Sequence, residues 1–325
     1  MSDLRLKQLR DWLNSVGLNE YDMEPASNDA SFRRYFRVWH ERDRFIVMDA
    51  PPAQEDCRPF VAVAQALKDF GLNVPKVLEM DLEQGFLLLS DLGHEQYLEV
   101  LTDKNVDQLY ADAITALVKL QKNGPSDSCA LPAYSRELLL SEMALFSDWL
   151  MQTHLGLGPE RAQSLEPVYG YLADKALEQP LVWVHRDYHS RNLMVTPESN
   201  PGVLDFQDAV LGPVAYDVVS LLKDCYISWP RDRVEAWCLQ YFNQASEAGV
   251  LRGVEFEQFL RWFDLMGVQR HLKAAGIFAR LNHRDAKPAY LKDIPRTLGH
   301  IMPVCERDQR LAPLAEVLAV VLAKL

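Results

Sequence analysis

The chain has 325 residues, of which 48% are hydrophobic and 25% charged, with a formal net charge of −12 and a pI near 5.2. Such a length buries a large core and favours two lobes over one, and the composition is that of a globular protein. The acidic balance argues against general nucleic-acid binding and against an anionic membrane as partner, because both want a cationic surface.

The first residues run directly into a helical pattern over 4–16, with Leu6, Leu9, Trp12, Leu13 and Val16 on one face, rather than into an apolar export signal. Phe32 to Val38 and Phe45 to Met48 read as antiparallel strands joined through His40-Glu41-Arg42-Asp43, and Pro51-Pro52 breaks the second. A helix over 58–69 carries Phe60, Val63, Ala64 and Leu67 inward and is stopped by Gly71. Val77 to Asp81 and Gly85 to Leu89 form a further strand pair. Beyond Ser90-Asp91-Leu92-Gly93 the pattern turns helical, with runs near 95–101, 105–122, 135–154, 159–178, 214–224, 231–248, 255–281 and 311–324. The last greasy stretch, Leu311 to Leu325, is interrupted by Pro313, Glu316 and Lys324 and is too short to span a bilayer. Five cysteines, at 57, 129, 225, 238 and 305, form no C-x-x-C pair and leave one over, which suits a reducing cytoplasm better than a disulfide framework or a zinc site.

One stretch interrupts the helices and carries the chemistry. The strand signal Leu181-Val182-Trp183-Val184 leads into His185-Arg186-Asp187-Tyr188-His189-Ser190-Arg191-Asn192, and Leu204-Asp205-Phe206 follows. Phosphoryl transfer needs a carboxylate to hold the attacking hydroxyl, a neutral oxygen ligand for Mg²⁺, and a charged ligand bridging the metal to the phosphates. Asp187, Asn192 and Asp205 supply all three, at the H-x-D-x-x-x-x-N…D-F spacing of eukaryotic-type kinases. Between them, Leu193-Met194-Val195 and Gly202-Val203-Leu204 flank turn residues 196–201 and read as a β-hairpin. With Val195 opposite Val203, that hairpin brings Asn192 beside Asp205. Singly, each of the three polar residues is as readily a turn, cap or hairpin-end side chain. Jointly they point to catalysis, with Asp187 as base, Asn192 and Asp205 on Mg²⁺, and ATP as phosphoryl donor. Asp208, three residues on, is either a further member of the metal cluster or a cap.

The fold expected is α+β, a two-lobed protein-kinase-like architecture with a small antiparallel β-lobe and a larger helical lobe. Residues 1–90 form the nucleotide-binding lobe and 91–325 the catalytic and substrate lobe. The connector at Leu88 to Leu92 offers backbone groups from Leu89, Ser90 and Leu92 to the adenine edge, with Val47, Leu89 and Leu204 as the apolar walls. Two features depart from the general kinase pattern. No lysine stands near Met48, where the strand lysine on the phosphates belongs, and the helix after it has no acid from Phe60 to Leu67. Losing both leaves no unpaired buried charge. Ser27, Asn28 and Ser31 offer small polar donors to phosphate in place of a glycine loop, and Arg33, Arg34 and Arg44 are candidates for the missing cation.

These motifs, from the hinge at Gly85 to Gly93 through the catalytic loop and Asp205 to Asp208 to a following helix at Pro213 to Ser220, resemble the aminoglycoside phosphotransferase and choline kinase group. The resemblance covers nearly the whole chain and implies that Asp217 is a buried aspartate bracing the catalytic loop. Ser27 to Arg37, Met48 to Pro52 and Gln269 to Asp285 are similar to a narrower branch, the anomeric N-acetylmuramate/N-acetylglucosamine kinases of bacterial cell-wall recycling. That branch implies an amino sugar phosphorylated at C1 by a cytoplasmic monomer, with Arg191, Lys273 and Arg280 as substrate-binding candidates. Gln269, Lys273, Arg280 and Arg284 share one helical face, a cationic stripe suited to the lactyl carboxylate of N-acetylmuramate, although a solvated face has the same pattern. The alternatives are an aminoglycoside or other small-alcohol phosphotransferase, and a non-catalytic nucleotide-binding module.

Overall fold

The computed structural model describes residues 2–27, 32–123 and 129–325. Contacts divide the chain into two units, Met1–Glu95 with Met194–Asp208, and Gln96–Leu193 with Ala209–Leu325. The sequence division at residue 90 left 194–208 in the second part, whereas this segment groups with the first unit. It is stitched there by Asn73, which bridges to Gly202, accepts the Val203 N–H at 2.8 Å and donates to the Thr196 hydroxyl at 3.2 Å.

The first unit is built on an antiparallel sheet of order β1-β2-β3-β5-β4, formed by β1 (Asp22–Ser27), β2 (Arg34–His40), β3 (Asp43–Asp49), β4 (Val77–Asp81) and β5 (Phe86–Ser90). The sequence reading missed β1. It contains Pro25, which is tolerated because β1 lies at the sheet edge and carries a bulge between Pro25 and Ser27. β2 turns into β3 through Glu41, whose φ of 55° lies in the left-handed region that such a tight turn requires. Helix α1 (Ser2–Ser15) lays Leu9, Trp12 and Leu13 against Phe36, Val38, Val47, Phe86 and Leu88, the residues of one sheet face. Helix α2 (Arg58–Asp69) begins with Pro59 in its first turn, buries Phe60, Val63, Ala64 and Leu67, and is followed by Gly71 at φ 79°. A short hairpin pairs Leu193–Met194 with Gly202–Val203. It stops one residue earlier than expected, because Val195 turns its N–H to the Glu95 carbonyl at 2.8 Å.

The second unit is helical, comprising α3 (Tyr97–Val100), α4 (Val106–Lys122), α5 (Arg136–Leu145), α6 (Pro159–Gln163), α7 (Glu166–Leu177), α8 (Tyr216–Leu222), α9 (Arg231–Glu247), α10 (Phe256–Asp285) and short C-terminal helices. Ser135 caps α5 by accepting the Leu138 N–H at 3.2 Å, and α10 ends at Ala286 with φ 54°. The run expected at 135–154 continues past α5 as a π-helical segment, Phe146–His154. Gly276 lets α10 approach that junction, because a methyl group there would collide with the backbone of Leu145 and Phe146. Leu181–Val184 does form a strand, but its antiparallel partner is Val210–Pro213, so the helix expected from Pro213 starts only at Tyr216. Among the described residues no helix is long and apolar enough to cross a membrane.

Candidate active site

In the second unit, the strand Leu181–Val184 delivers the catalytic loop, and two buried carboxylates hold that loop in shape. Asp217, on α8 and fully buried, accepts the N–H of His185 at 2.7 Å and of Arg186 at 3.0 Å. This bracing lets Arg186 occupy φ 76°, which a non-glycine residue keeps only when its surroundings over-determine it. Burial pushes the Asp217 carboxyl up to about 7, against the pull of those two donors and of Arg270. Asp224 accepts the Ser190 N–H at 2.9 Å, the Ser190 hydroxyl, and the Tyr226 N–H at 3.0 Å. Asn192 donates its side-chain amide to the Asp187 carbonyl at 3.0 Å, which ties the two catalytic-loop candidates together.

Asp187 itself retains 45% of its side-chain exposure. Burial of the loop disfavours its charge, but the fields of Lys273, His189, Arg270 and His185 outweigh this and hold its carboxyl below the usual carboxylate range. His189 lies 4.0 Å away through Nε2, and burial lowers its pKa against the pull of Asp224 and Asp187. The group presented is therefore an ionised carboxylate beside an imidazole.

In the first unit, Asp205 stands at the end of the hairpin with φ 62° and accepts from Gln207 Nε2 at 2.8 Å. Phe206 anchors this turn by packing on Phe60 of α2, ring centroids 4.9 Å apart. Among the three arginines considered for the missing lysine, Arg34 is committed to buried Asp49, and Arg44 is half exposed and 4.0 Å from Asp91. Arg33 pairs with Glu55 at 2.9 Å; burial works against its charge, but Tyr35, Glu55, Asp208 and Asp205 together raise its pKa. Of the three, Arg33 is the one whose charge is coupled to Asp205 and Asp208. Met48 is buried between Tyr35 and Leu87, so its strand position is apolar core. Ser31 lies outside the described residues.

The connector after β5 is clamped by Arg37, which donates to both oxygens of Asp91 at 2.9 and 3.2 Å and to the Gly93 carbonyl at 2.7 Å. Ser90 gives its N–H to the Lys76 carbonyl and accepts the Lys76 N–H on its hydroxyl, both at 2.9 Å. The Ser90 N–H is therefore already taken by Lys76. Val47 is removed from the adenine walls. It pairs with Leu88 and packs under α1, while Leu89 pairs with Ile46 on the opposite sheet face.

The cationic stripe is not a solvated face. Gln269, Arg270 and Lys273 are buried, whereas Arg284 is exposed and pairs with Asp285. Lys273 is drawn to Glu142 at 2.9 Å and to the Tyr216 hydroxyl at 3.0 Å, and the same carboxylate takes Arg186 at 2.6 Å. A lysine so engaged is an internal counter-ion to Glu142. Arg280 is half-buried; burial and Arg284 lower its pKa. Arg191 lies in the second unit over the Tyr226 ring, 4.1 Å from its centroid. Glu142, Asp224 and the ion-pair role of Asp91 were missed by the sequence reading, since a lone acid gives no sign of its partner.

Asn192 offers carboxamide oxygen and Asp205 carboxylate oxygen, each a donor type that Mg²⁺ takes alongside phosphate and water oxygens. Among the described residues no group of three or more His, Cys, Asp or Glu is arranged to hold a metal.

Comparison with known proteins agrees with this chemistry. Residues 22–260 match the phosphotransferase enzyme family. The chain is 50% identical over 331 residues to the N-acetylmuramate/N-acetylglucosamine kinase of Pseudomonas aeruginosa, covering 98% of this chain and 97% of that one. It is 42% identical over 315 residues to the protein of the same name from Neisseria meningitidis, covering 94% and 93%. Among solved structures, an ADP-bound aminoglycoside phosphotransferase (15% identity, 92% of this chain and 98% of that one, TM-score 0.56) and a choline kinase of Streptococcus pneumoniae (12%, 91% and 98%, TM-score 0.62) share the fold.

Proposed function

We propose that this chain, which belongs to the phosphotransferase enzyme family, transfers the γ-phosphoryl group of ATP to the anomeric hydroxyl of N-acetylmuramate or N-acetylglucosamine. The observation that carries this reading is its likeness, over nearly the whole of both chains, to relatives bearing that name. The catalytic loop supports the same chemistry. Asp187 is ionised at neutral pH, so it accepts a hydrogen bond from the sugar hydroxyl and fixes the oxygen for in-line attack. A carboxylate with a lowered pKa is a weak base in the ground state. Its proton-accepting role comes late, as the hydroxyl acidifies during a largely dissociative transfer, and much of its value is orientation.

Asn192 and Asp205 are the residues that would hold Mg²⁺. When bound, the metal supplies charge neutralisation on the β- and γ-phosphates. Arg33 takes the phosphate-binding duty of the absent strand lysine, supported by its electrostatic coupling to Asp205 and Asp208. Residues 1–90 serve as the nucleotide-binding part and 91–325 as the catalytic and substrate part, with the Ser90 carbonyl, Leu92 and the side chain of Leu89 toward adenine. The enzyme works as a cytoplasmic monomer on a small sugar, with neither nucleic acid nor membrane as partner. A coupled ADP-release assay with N-acetylmuramate, N-acetylglucosamine, an aminoglycoside and choline tests the substrate class. Turnover of the two amino sugars is expected, and turnover confined to the aminoglycoside or choline would overturn it.

A further inference from the structure

The two proposed sugars differ by a lactyl ether that gives N-acetylmuramate a carboxylate. An enzyme that takes both must tolerate its absence and still accommodate its charge. With Lys273 occupied by Glu142, the cation that meets this carboxylate has to be sought elsewhere in the second unit.

Arg191 follows Asp187 by four residues in the same loop and is half-buried. Its guanidinium lies over the Tyr226 ring at 4.1 Å and near the Tyr290 ring at 5.5 Å. The side chains of Tyr226 and Tyr290 also hydrogen-bond the guanidinium, which fixes its plane, and a planar fork with five N–H donors keeps others for a bidentate carboxylate. Among the described residues no carboxylate pairs with Arg191, although Arg5, Arg33, Arg34, Arg37 and Arg186 all have one.

The frame around it is rigid. Tyr226 is tethered by its N–H to Asp224 and meets the ring of His189 edge-on at 5.5 Å. Phe278 stacks on Tyr290 at 5.7 Å and touches Tyr226 at 6.1 Å. His189 in turn approaches the Asp187 carboxylate, so one run of contacts joins the reacting end of the site to Arg191. A second arginine acts on His189 alongside Arg191. Arg270 is 5% exposed, its Nη1 meets the Cys225 sulfur at 3.5 Å, and its buried Nε has no hydrogen-bond partner among the described residues. A buried guanidinium with no carboxylate adds positive field to its surroundings.

We propose that Arg191, held between Tyr226 and Tyr290, recognises the carboxylate of the acid-bearing sugar and thereby sets the preference between N-acetylmuramate and N-acetylglucosamine. The inference rests on the amino-sugar reading above. The C1 hydroxyl and the C3 ether stand on opposite sides of C2 in one pyranose ring. The carboxylate is therefore carried on the same ring as the oxygen at Asp187, and Arg191 lies four residues on in the same loop. Arg270 contributes field and does not contact the sugar.

The test compares N-acetylmuramate, its lactyl methyl ester and N-acetylglucosamine as substrates of the full-length wild type, Arg191→Gln and Arg191→Lys, with KM for ATP measured on each. The wild type should prefer the acid over its ester by about 10- to 100-fold in kcat/KM, mainly through KM, as one charge-assisted contact implies. Arg191→Gln should abolish that preference, and Arg191→Lys, which keeps the charge without the planar fork, should recover part of it. A preference that survives in Arg191→Gln, or none in the wild type, overturns the inference alone while both sugars are still turned over. Failure of the wild type on all three substrates would instead overturn the functional reading, and this inference with it.

Discussion

Replacing Glu142 by Gln would expose how much of the catalytic loop depends on one buried carboxylate. Glu142 is 5% exposed and receives Arg186 at 2.6 Å, Lys273 at 2.9 Å, Gln269 at 3.3 Å and the Tyr134 hydroxyl. Gln keeps the shape but removes the charge, and its amide group turns donors toward two cations. Hydrogen bonds to a charged group contribute about 1.5–3 kcal/mol each, and breaking a buried ion pair from one side costs about 3–5 kcal/mol. We expect a loss near the latter range, a large share of a stability of about 5–15 kcal/mol. The pH dependence should change with it. Burial opposes ionisation of Glu142, but Lys273, Tyr134 and Arg186 outweigh it and lower its carboxyl below 4.5. Its contribution is therefore present above pH 4.5 and is lost as pH falls through the folded value, a loss that the variant lacks. Urea unfolding of the wild type, Glu142→Gln, Lys273→Met and the double variant measures both effects, and the two single costs should couple by about 0.5–3 kcal/mol. A Glu142→Gln cost below about 1 kcal/mol would show that solvent, not Glu142, carries those two cations.

Further consequences follow from the same geometry. Asp187→Asn should lower turnover by about 10²–10⁴ with ATP affinity retained, and near-normal turnover would remove Asp187 from its role. Gly276→Ala should cost about 3 kcal/mol or more in urea unfolding, because its methyl meets backbone at Leu145 and Phe146, and a neutral substitution would contradict the close packing of α10 there. The Asp217 carboxyl, about 7 in the fold against 3.8 free, stays protonated longer when folded. Its stabilising contribution is therefore full below pH 3.8 and fades as pH rises through about 7. Its ionised form is the one whose two oxygens both accept loop N–H groups, so kcat/KM should rise with pH through about 7. A flat profile from about pH 6 to 8 would remove this linkage.

The legible parts of the molecule are those whose signals are local. The helical face of residues 4–16, the buried set Phe60, Val63, Ala64 and Leu67, and the strand pair after Gly71 all match because their apolar periods are short-range. β1 was hidden by Pro25, which argues against a strand unless the edge position is known. Motif spacing singled out Asp187, Asn192 and Asp205, but not the carboxylates that shape their surroundings. Asp224 lies 34 residues from Ser190, and Glu142 lies 44 residues from Arg186. Partners so distant leave no pattern in one sequence. For the same reason Lys273 read as a cation for the substrate or for solvent: helical spacing gives a face, but only the fold shows that Glu142 waits on it.

Phosphorus NMR of the product made from N-acetylmuramate, ATP and Mg²⁺ bears most directly on the proposed reaction. A single new phosphate resonance coupled to the anomeric proton, formed by the wild type and not by Asp187→Asn, is the expected result. A phosphate on any other hydroxyl, or no transfer to this sugar or to N-acetylglucosamine while ATP still binds, would contradict it.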